Sequence, residues 1–95
     1  MKNFNKIILS LGSNIGDRKS NLETAIIQIN KFSTIKKISS IYESDPILFK
    51  DQDNFFNLVL EIDYKKSVIE LLETIKDLER RMGRKKNSKI WSKNY

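Results

Sequence analysis

The chain has 95 residues, 39% of them hydrophobic and 32% charged, a balance that suits one soluble domain and leaves no room for two separate cores. It contains neither cysteine nor histidine, which excludes disulfides, zinc–thiolate sites, cysteine nucleophiles and serine–histidine–acid triads. The net charge of +6 is concentrated at one end: residues 1–79 hold 11 basic and 12 acidic groups, and residues 80–95 hold seven basic groups and no acid. Such a block attracts polyanions, whether nucleotide phosphates, RNA or an anionic surface, and it also serves as a plain solubilising terminus. No apolar run approaches the ~18 residues of a membrane span, and the start has no signal-peptide core, so the expected location is cytoplasmic.

Ile7, Leu9 and Leu11 alternate with Ile8 and Ser10, which predicts a strand over 7–11 covered on both faces. Gly12-Ser13-Asn14-Ile15-Gly16-Asp17 then predicts a turn, with Asp17 as N-cap and Ser20 or Asn21 as competitors. Leu22, Ala25/Ile26, Ile29 and Phe32 recur at helical spacing and predict a helix over 18–32 with one apolar stripe. The β-branched stretch 33–42 predicts an edge strand or a bulged one, stopped at Ser44-Asp45-Pro46. A loop follows through Asp53. From 55 to 64 the alternation is clear: Phe56, Leu58, Leu60, Ile62 and Tyr64 on one face, Phe55, Asn57, Val59, Glu61 and Asp63 on the other. Ser67 and Glu70 form a capping box for a helix over 68–82, which Gly83 should end. The resulting order, β-α-β-β-α, makes an α+β chain with five-sixths of a ferredoxin-like βαββαβ sandwich.

Three places in the chain suit a ligand. The Gly12–Gly16 turn resembles a phosphate cradle but lacks the dinucleotide fingerprint and a Walker lysine, so a structural turn explains it equally. Phe55 and Asn57, on the face away from the helices, pair a ring with an amide and suit a flat heteroaromatic ligand, with Ser44 and Asp45 offering further polar contacts. A half-exposed sheet face accounts for the same residues without a ligand. Near the second helix's end, Lys76, Glu79 and Arg80 share a flank, and Arg84, Lys85, Lys86 and Trp91 follow. Cations at a helix C-terminus also sit well with its dipole, and rings among cations suit a nucleotide or single-stranded RNA alike.

The ordered segments Leu11-Gly12-Ser13-Asn14-Ile15-Gly16-Asp17, Tyr42-Glu43-Ser44-Asp45-Pro46, Asn54-Phe55-Phe56-Asn57 and Glu79-Arg80-Arg81-Met82-Gly83-Arg84 resemble the N-terminal part of the 6-hydroxymethyl-7,8-dihydropterin pyrophosphokinases. The resemblance implies a ferredoxin-like transferase of folate biosynthesis that moves a pyrophosphoryl group from ATP to a pterin alcohol, giving the pterin diphosphate and AMP. It implies pterin contacts at Ser44, Asp45, Phe55 and Asn57, with Phe55 stacking and Asn57 hydrogen bonding. It implies nucleotide contacts at Lys76, Glu79, Arg84, Lys86 and Trp91, with Arg84 and Lys86 also catalytic. Ser44 stands where the family usually has threonine, and Asp45 where proline is common.

The same family binds two Mg²⁺ ions through an Asp-x-Asp pair in its last strand. This chain reads Ser92-Lys93-Asn94-Tyr95 after Trp91, so no metal ligand is assigned in it; Asp51 and Asp53 have the spacing but lie in the loop before the 55–64 strand. The expectations are therefore a single incomplete domain over 1–95, a fragment or incomplete gene product lacking its last strand, with a basic nucleotide loop at 83–95. The edge beside the first strand should be open, and pyrophosphoryl transfer by these residues alone should be slight or nil. Pterin and ATP are the expected partners, with no membrane, a monomeric state for a completed domain and self-association through the open edge of a shortened one. The alternatives are a non-catalytic ligand-binding domain of the same fold and single-stranded nucleic-acid binding through 80–95.

Overall fold

The structure, a computed structural model, describes residues 5–14, 16–45 and 54–82 and the backbone of 89–94. Pro46, Asp51, Asp53, Gly83, Arg84, Lys85 and Lys86, on which several sequence-based expectations fall, lie outside the described residues. The first strand, β1 (Asn5–Ser13), is longer than the apolar alternation alone suggests, running through Gly12 to Ser13. Gly12 is thus a strand residue and not part of the turn. The positive φ of the turn, 64°, belongs to Gly16.

Helix α1 (Arg18–Asn30) begins at Asp17, whose carboxylate accepts from the Ser20 amide. It ends earlier than the apolar stripe predicts, and Phe32 packs from the following turn, edge-on to Tyr64. The stretch expected as one strand over 33–42 is two: β2 (Thr34–Ile38) and β3 (Tyr42–Ser44). Both pair antiparallel with β4 (Phe55–Tyr64), one after the other. Between them Ser39 grips β4 alone, its amide donating to the Val59 carbonyl at 2.9 Å and its hydroxyl accepting from the Val59 amide at 2.8 Å. Helix α2 (Val68–Arg81) starts at the expected capping box, Ser67 accepting from the Glu70 amide.

Two extra residues are taken up along β2 and β3. Ile35 faces Ile62 while Lys37 faces Glu61, and Ile38 faces Leu60 while Tyr42 faces Asn57. Each irregularity inserts one unmatched residue and so shifts the inside–outside alternation by one step. The second shift brings Tyr42 and Ser44, rather than Glu43, to the side of the sheet that carries Asn57 and Phe55.

The last strand, β5 (Lys89–Asn94), corrects the expectation of a sheet that stops before its sixth element. It pairs antiparallel with β1 from Ile7↔Asn94 to Gly12↔Lys89, so the edge expected to be open is covered and part of the segment expected as a basic loop is extended. The physical reason is the row of backbone donors and acceptors on β1, which a neighbouring chain segment satisfies. The sheet order is β2-β4-β1-β5, with β3 beside β4, the arrangement of a ferredoxin-like sandwich.

One face of the sheet is covered by the helices. Ile7, Leu9 and Leu11 of β1 and Leu58, Leu60, Ile62 and Tyr64 of β4 are buried there against Leu22, Ala25 and Ile29 of α1 and Leu71, Ile75 and Leu78 of α2. The other face is open and partly polar, with Lys6 and Glu61 3.7 Å apart across it. No described helix is long and apolar enough to cross a membrane.

Candidate functional site

Strand alternation decides which side chains reach the open face. In β4 the buried set begins at Leu58 and recurs every second residue, so Asn57 and Phe55 project to the opposite side. Phe56, between them, packs against the core. Gly12 lies across from Asn57 on β1, and a Cβ placed there would stand 3.1 Å from Asn57 Oδ1 and 3.5 Å from Phe55 Cδ1. The three residues therefore form one surface, with bare backbone at Gly12 as its floor.

The Asn57 amide is oriented by its surroundings. Its Nδ2 donates to Ser44 Oγ at 2.9 Å and to the Tyr42 carbonyl at 3.2 Å, with the Phe55 carbonyl at 3.4 Å. Carbonyl oxygens only accept, so the nitrogen must face them and Oδ1 must point the other way, over Gly12. The register explains the convergence, since Tyr42 sits directly opposite Asn57 and Ser44 opposite Phe55. Ser44 and Asp45 are both exposed.

Arg18 is a contributor that its sequence position does not announce. A cation in the first turn of a helix opposes the helix dipole and would ordinarily be a solvated surface residue. Here its guanidinium lies 4.0 Å from the centre of the Phe56 ring, and Nη1 donates to the Asn54 carbonyl at 2.6 Å. Arg18 thus fastens the entry of β4 immediately before Phe55. Alongside it, Asn21 Nδ2 donates to Ser13 Oγ at 3.0 Å, tying α1 to the end of β1, where Ser13 and Asn14 are buried.

The residues matched to nucleotide contacts are placed differently. Lys76 is exposed and Glu79 half-buried, both on α2, which covers the other side of the sheet. The short link after Tyr64 makes α2 run back toward the Phe55 end, so the two sets share an end of the fold but not a face. Arg80 and Arg81 pair with Asp77 at 3.5 and 2.9 Å, all on the exposed surface of α2. Arg84 and Lys86 are outside the described residues. Trp91 lies in a strand rather than a loop, its backbone opposite Ser10, and Lys89 is opposite Gly12. Among the described residues no three acidic side chains come together to hold a metal ion.

Residues 8–94 match the family model of 7,8-dihydro-6-hydroxymethylpterin-pyrophosphokinase (HPPK). The chain belongs to the HPPK family. The 2-amino-4-hydroxy-6-hydroxymethyldihydropteridine pyrophosphokinase of Bacillus subtilis is 41% identical to it over 78 residues, covering 80% of this chain and 47% of the relative. The protein of the same name from Aquifex aeolicus is 43% identical over 83 residues, covering 87% and 52%. The folic acid synthesis protein fol1 of Schizosaccharomyces pombe is 41% identical over 83 residues, covering 84% of this chain and 11% of that protein. The chain spans about half the length of the two bacterial relatives. Among solved structures, the ATP complex of B. subtilis GlnK superposes with a TM-score of 0.54 at 17% identity, covering 100% of this chain and 84% of that one. That likeness is one of fold, and it agrees with the ferredoxin-like strand order.

Proposed function

We propose that this HPPK-family chain forms the pterin-binding part of an enzyme that transfers pyrophosphate from ATP to 6-hydroxymethyl-7,8-dihydropterin. The observation that carries the reading is the surface made by Phe55, Asn57 and Gly12 on the helix-free face. Its ring offers a stacking partner for a flat bicycle, and its oriented amide offers a hydrogen-bond acceptor to the bicycle's edge. Ser44 and Asp45 border the same edge.

In the reaction, the hydroxymethyl oxygen of the pterin attacks the β-phosphorus of ATP. A new oxygen–phosphorus bond forms as the bond from that phosphorus to the α–β bridging oxygen breaks; AMP departs and the hydroxyl proton passes to solvent. The chain's part in this is binding and positioning, which dominate phosphoryl-transfer catalysis. Phe55 and Asn57 hold the pterin. The resemblance assigns Lys76 and Glu79 of α2, together with Trp91, to the nucleotide. Arg84 and Lys86 neutralise charge on the transferring group. The family's Mg²⁺ finds no fitting donor set among the described residues, so no step is assigned to a metal held by them.

The test uses two measurements on the 95-residue chain. Fluorescence titration with 6-hydroxymethylpterin should saturate, and Phe55→Ala should weaken it about tenfold or more, the loss expected of a stacking contact worth roughly 1–3 kcal/mol. Absence of saturable binding, or equal binding by the Phe55 variant, would refute the pterin site. Incubation with ATP, Mg²⁺ and the dihydropterin alcohol, read as AMP release, should show little turnover, because the described residues bring no acidic cluster together. Binding without AMP release in any longer form of the protein would favour the second reading, a ligand-binding domain without chemistry.

A further inference from the structure

Asn57 has two N–H protons, and three protein acceptors surround them: the Ser44 hydroxyl at 2.9 Å, the Tyr42 carbonyl at 3.2 Å and the Phe55 carbonyl at 3.4 Å. Both protons are therefore engaged within the protein. What the amide turns toward the open face is Oδ1, above a residue with no side chain. We propose that Ser44 is a positioning residue, whose hydroxyl holds the Asn57 amide so that the site meets its ligand as an acceptor and selects a ligand edge that carries N–H donors. This rests on the pterin reading given above.

The argument is one of geometry. The two carbonyls decide which way the amide faces, and the hydroxyl supplies the shortest contact and fixes how far the side chain leans toward β3. Were Asn57 to lean the other way, Oδ1 would close on Gly12, the position where an added Cβ already stands only 3.1 Å away. Ser44 reaches this place because the unmatched residue between Ile38 and Tyr42 turns it to the open face. An edge carrying lone pairs would meet Oδ1 with repulsion, and an edge carrying N–H groups would be held.

The experiment compares the unaltered chain with Ser44→Ala, Ser44→Thr and Ser44→Val in fluorescence titrations with 6-hydroxymethylpterin. Alanine and valine should weaken binding about three- to tenfold, the usual worth of one hydrogen bond, and threonine should restore it to within about twofold. All three melting temperatures should stay within roughly 3 °C of the original, because Ser44 is exposed. Side-chain ¹⁵N relaxation of Asn57, without ligand, should show a more mobile amide in the alanine and valine variants only. Unchanged affinity in Ser44→Ala, or equal affinity of the threonine and valine variants, would overturn this proposal while leaving the pterin site standing. Failure of the unaltered chain to bind the pterin would overturn both.

Discussion

Gly12→Ala isolates the floor of the site from the stability of the fold. The strand backbone at Gly12 is not in the left-handed region, so alanine adopts it without strain and gains about 0.4–1 kcal/mol from a less flexible unfolded chain. Against this, the new methyl would stand 3.1 Å from Asn57 Oδ1, a distance that requires one partner to yield by a few tenths of an ångström. Asn57 does not yield freely, because its nitrogen is tied to Ser44 and Tyr42. Weakening one such bond costs about 0.5–1.5 kcal/mol. The two contributions nearly cancel, and the net change stays within about 1 kcal/mol, a melting-temperature shift of no more than roughly 4–8 °C for a domain of this size. Ligand binding has no such compensation. The methyl occupies the floor and displaces the acceptor, so affinity for 6-hydroxymethylpterin should fall at least about tenfold, or ~1.4 kcal/mol. Thermal unfolding and fluorescence titration on one sample read both quantities. A Gly12→Ala chain that binds within twofold of the original would refute the assignment of this surface.

Three further substitutions probe the frame around the site. Arg18→Ala removes the contact over Phe56 and the bond to the Asn54 carbonyl and relieves an unfavourable charge at the start of α1; the net loss should be about 1–2 kcal/mol, seen as a lower melting temperature, and an unchanged one would show that this contact stabilises nothing. Leu60→Ala empties a fully buried position and should cost about 2–5 kcal/mol in urea unfolding, enough to threaten folding in so small a domain; a loss under 1 kcal/mol would mean the core is not packed as described. Asp17→Ala should lower stability by about 0.5–2 kcal/mol through the lost cap on the Ser20 amide, and circular dichroism on heating would expose a wrong capping assignment by showing no change.

What was legible in the sequence follows from how local each signal is. Asp17, Ser67 and Glu70 cap their helices through bonds to residues three positions away, and the alternation in β4 is written in ten consecutive residues. The face of Phe55 and Asn57 could be read for the same reason. The break of 34–44 into two strands could not, because it depends on Ser39 using its side chain in place of a backbone group on Val59, a choice made by a partner strand twenty residues on. Gly12 reads as the start of a turn because glycine is common there; its reason in the structure is the close approach of Asn57 from β4. Arg18 carries no local sign of its position over Phe56. The last strand is not legible because Lys89, Ser92, Lys93 and Asn94 outnumber its strand-favouring Ile90 and Trp91, and backbone pairing along β1 outweighs that preference.

The two irregularities between Ile35 and Tyr42 give the chain one spare residue at each. Losing one residue between Ile38 and Tyr42 would remove the unmatched one and leave Tyr42 opposite Asn57 and Ser44 opposite Phe55; losing a second there would send both beneath the sheet and bring Glu43 opposite Asn57, exchanging a hydroxyl for a carboxylate. Losing one residue at each irregularity would leave the outward set as it is. Drift in this segment is thus constrained less by which amino acids it contains than by how many are lost at one place, and one deletion at each irregularity should be milder than two at the same one.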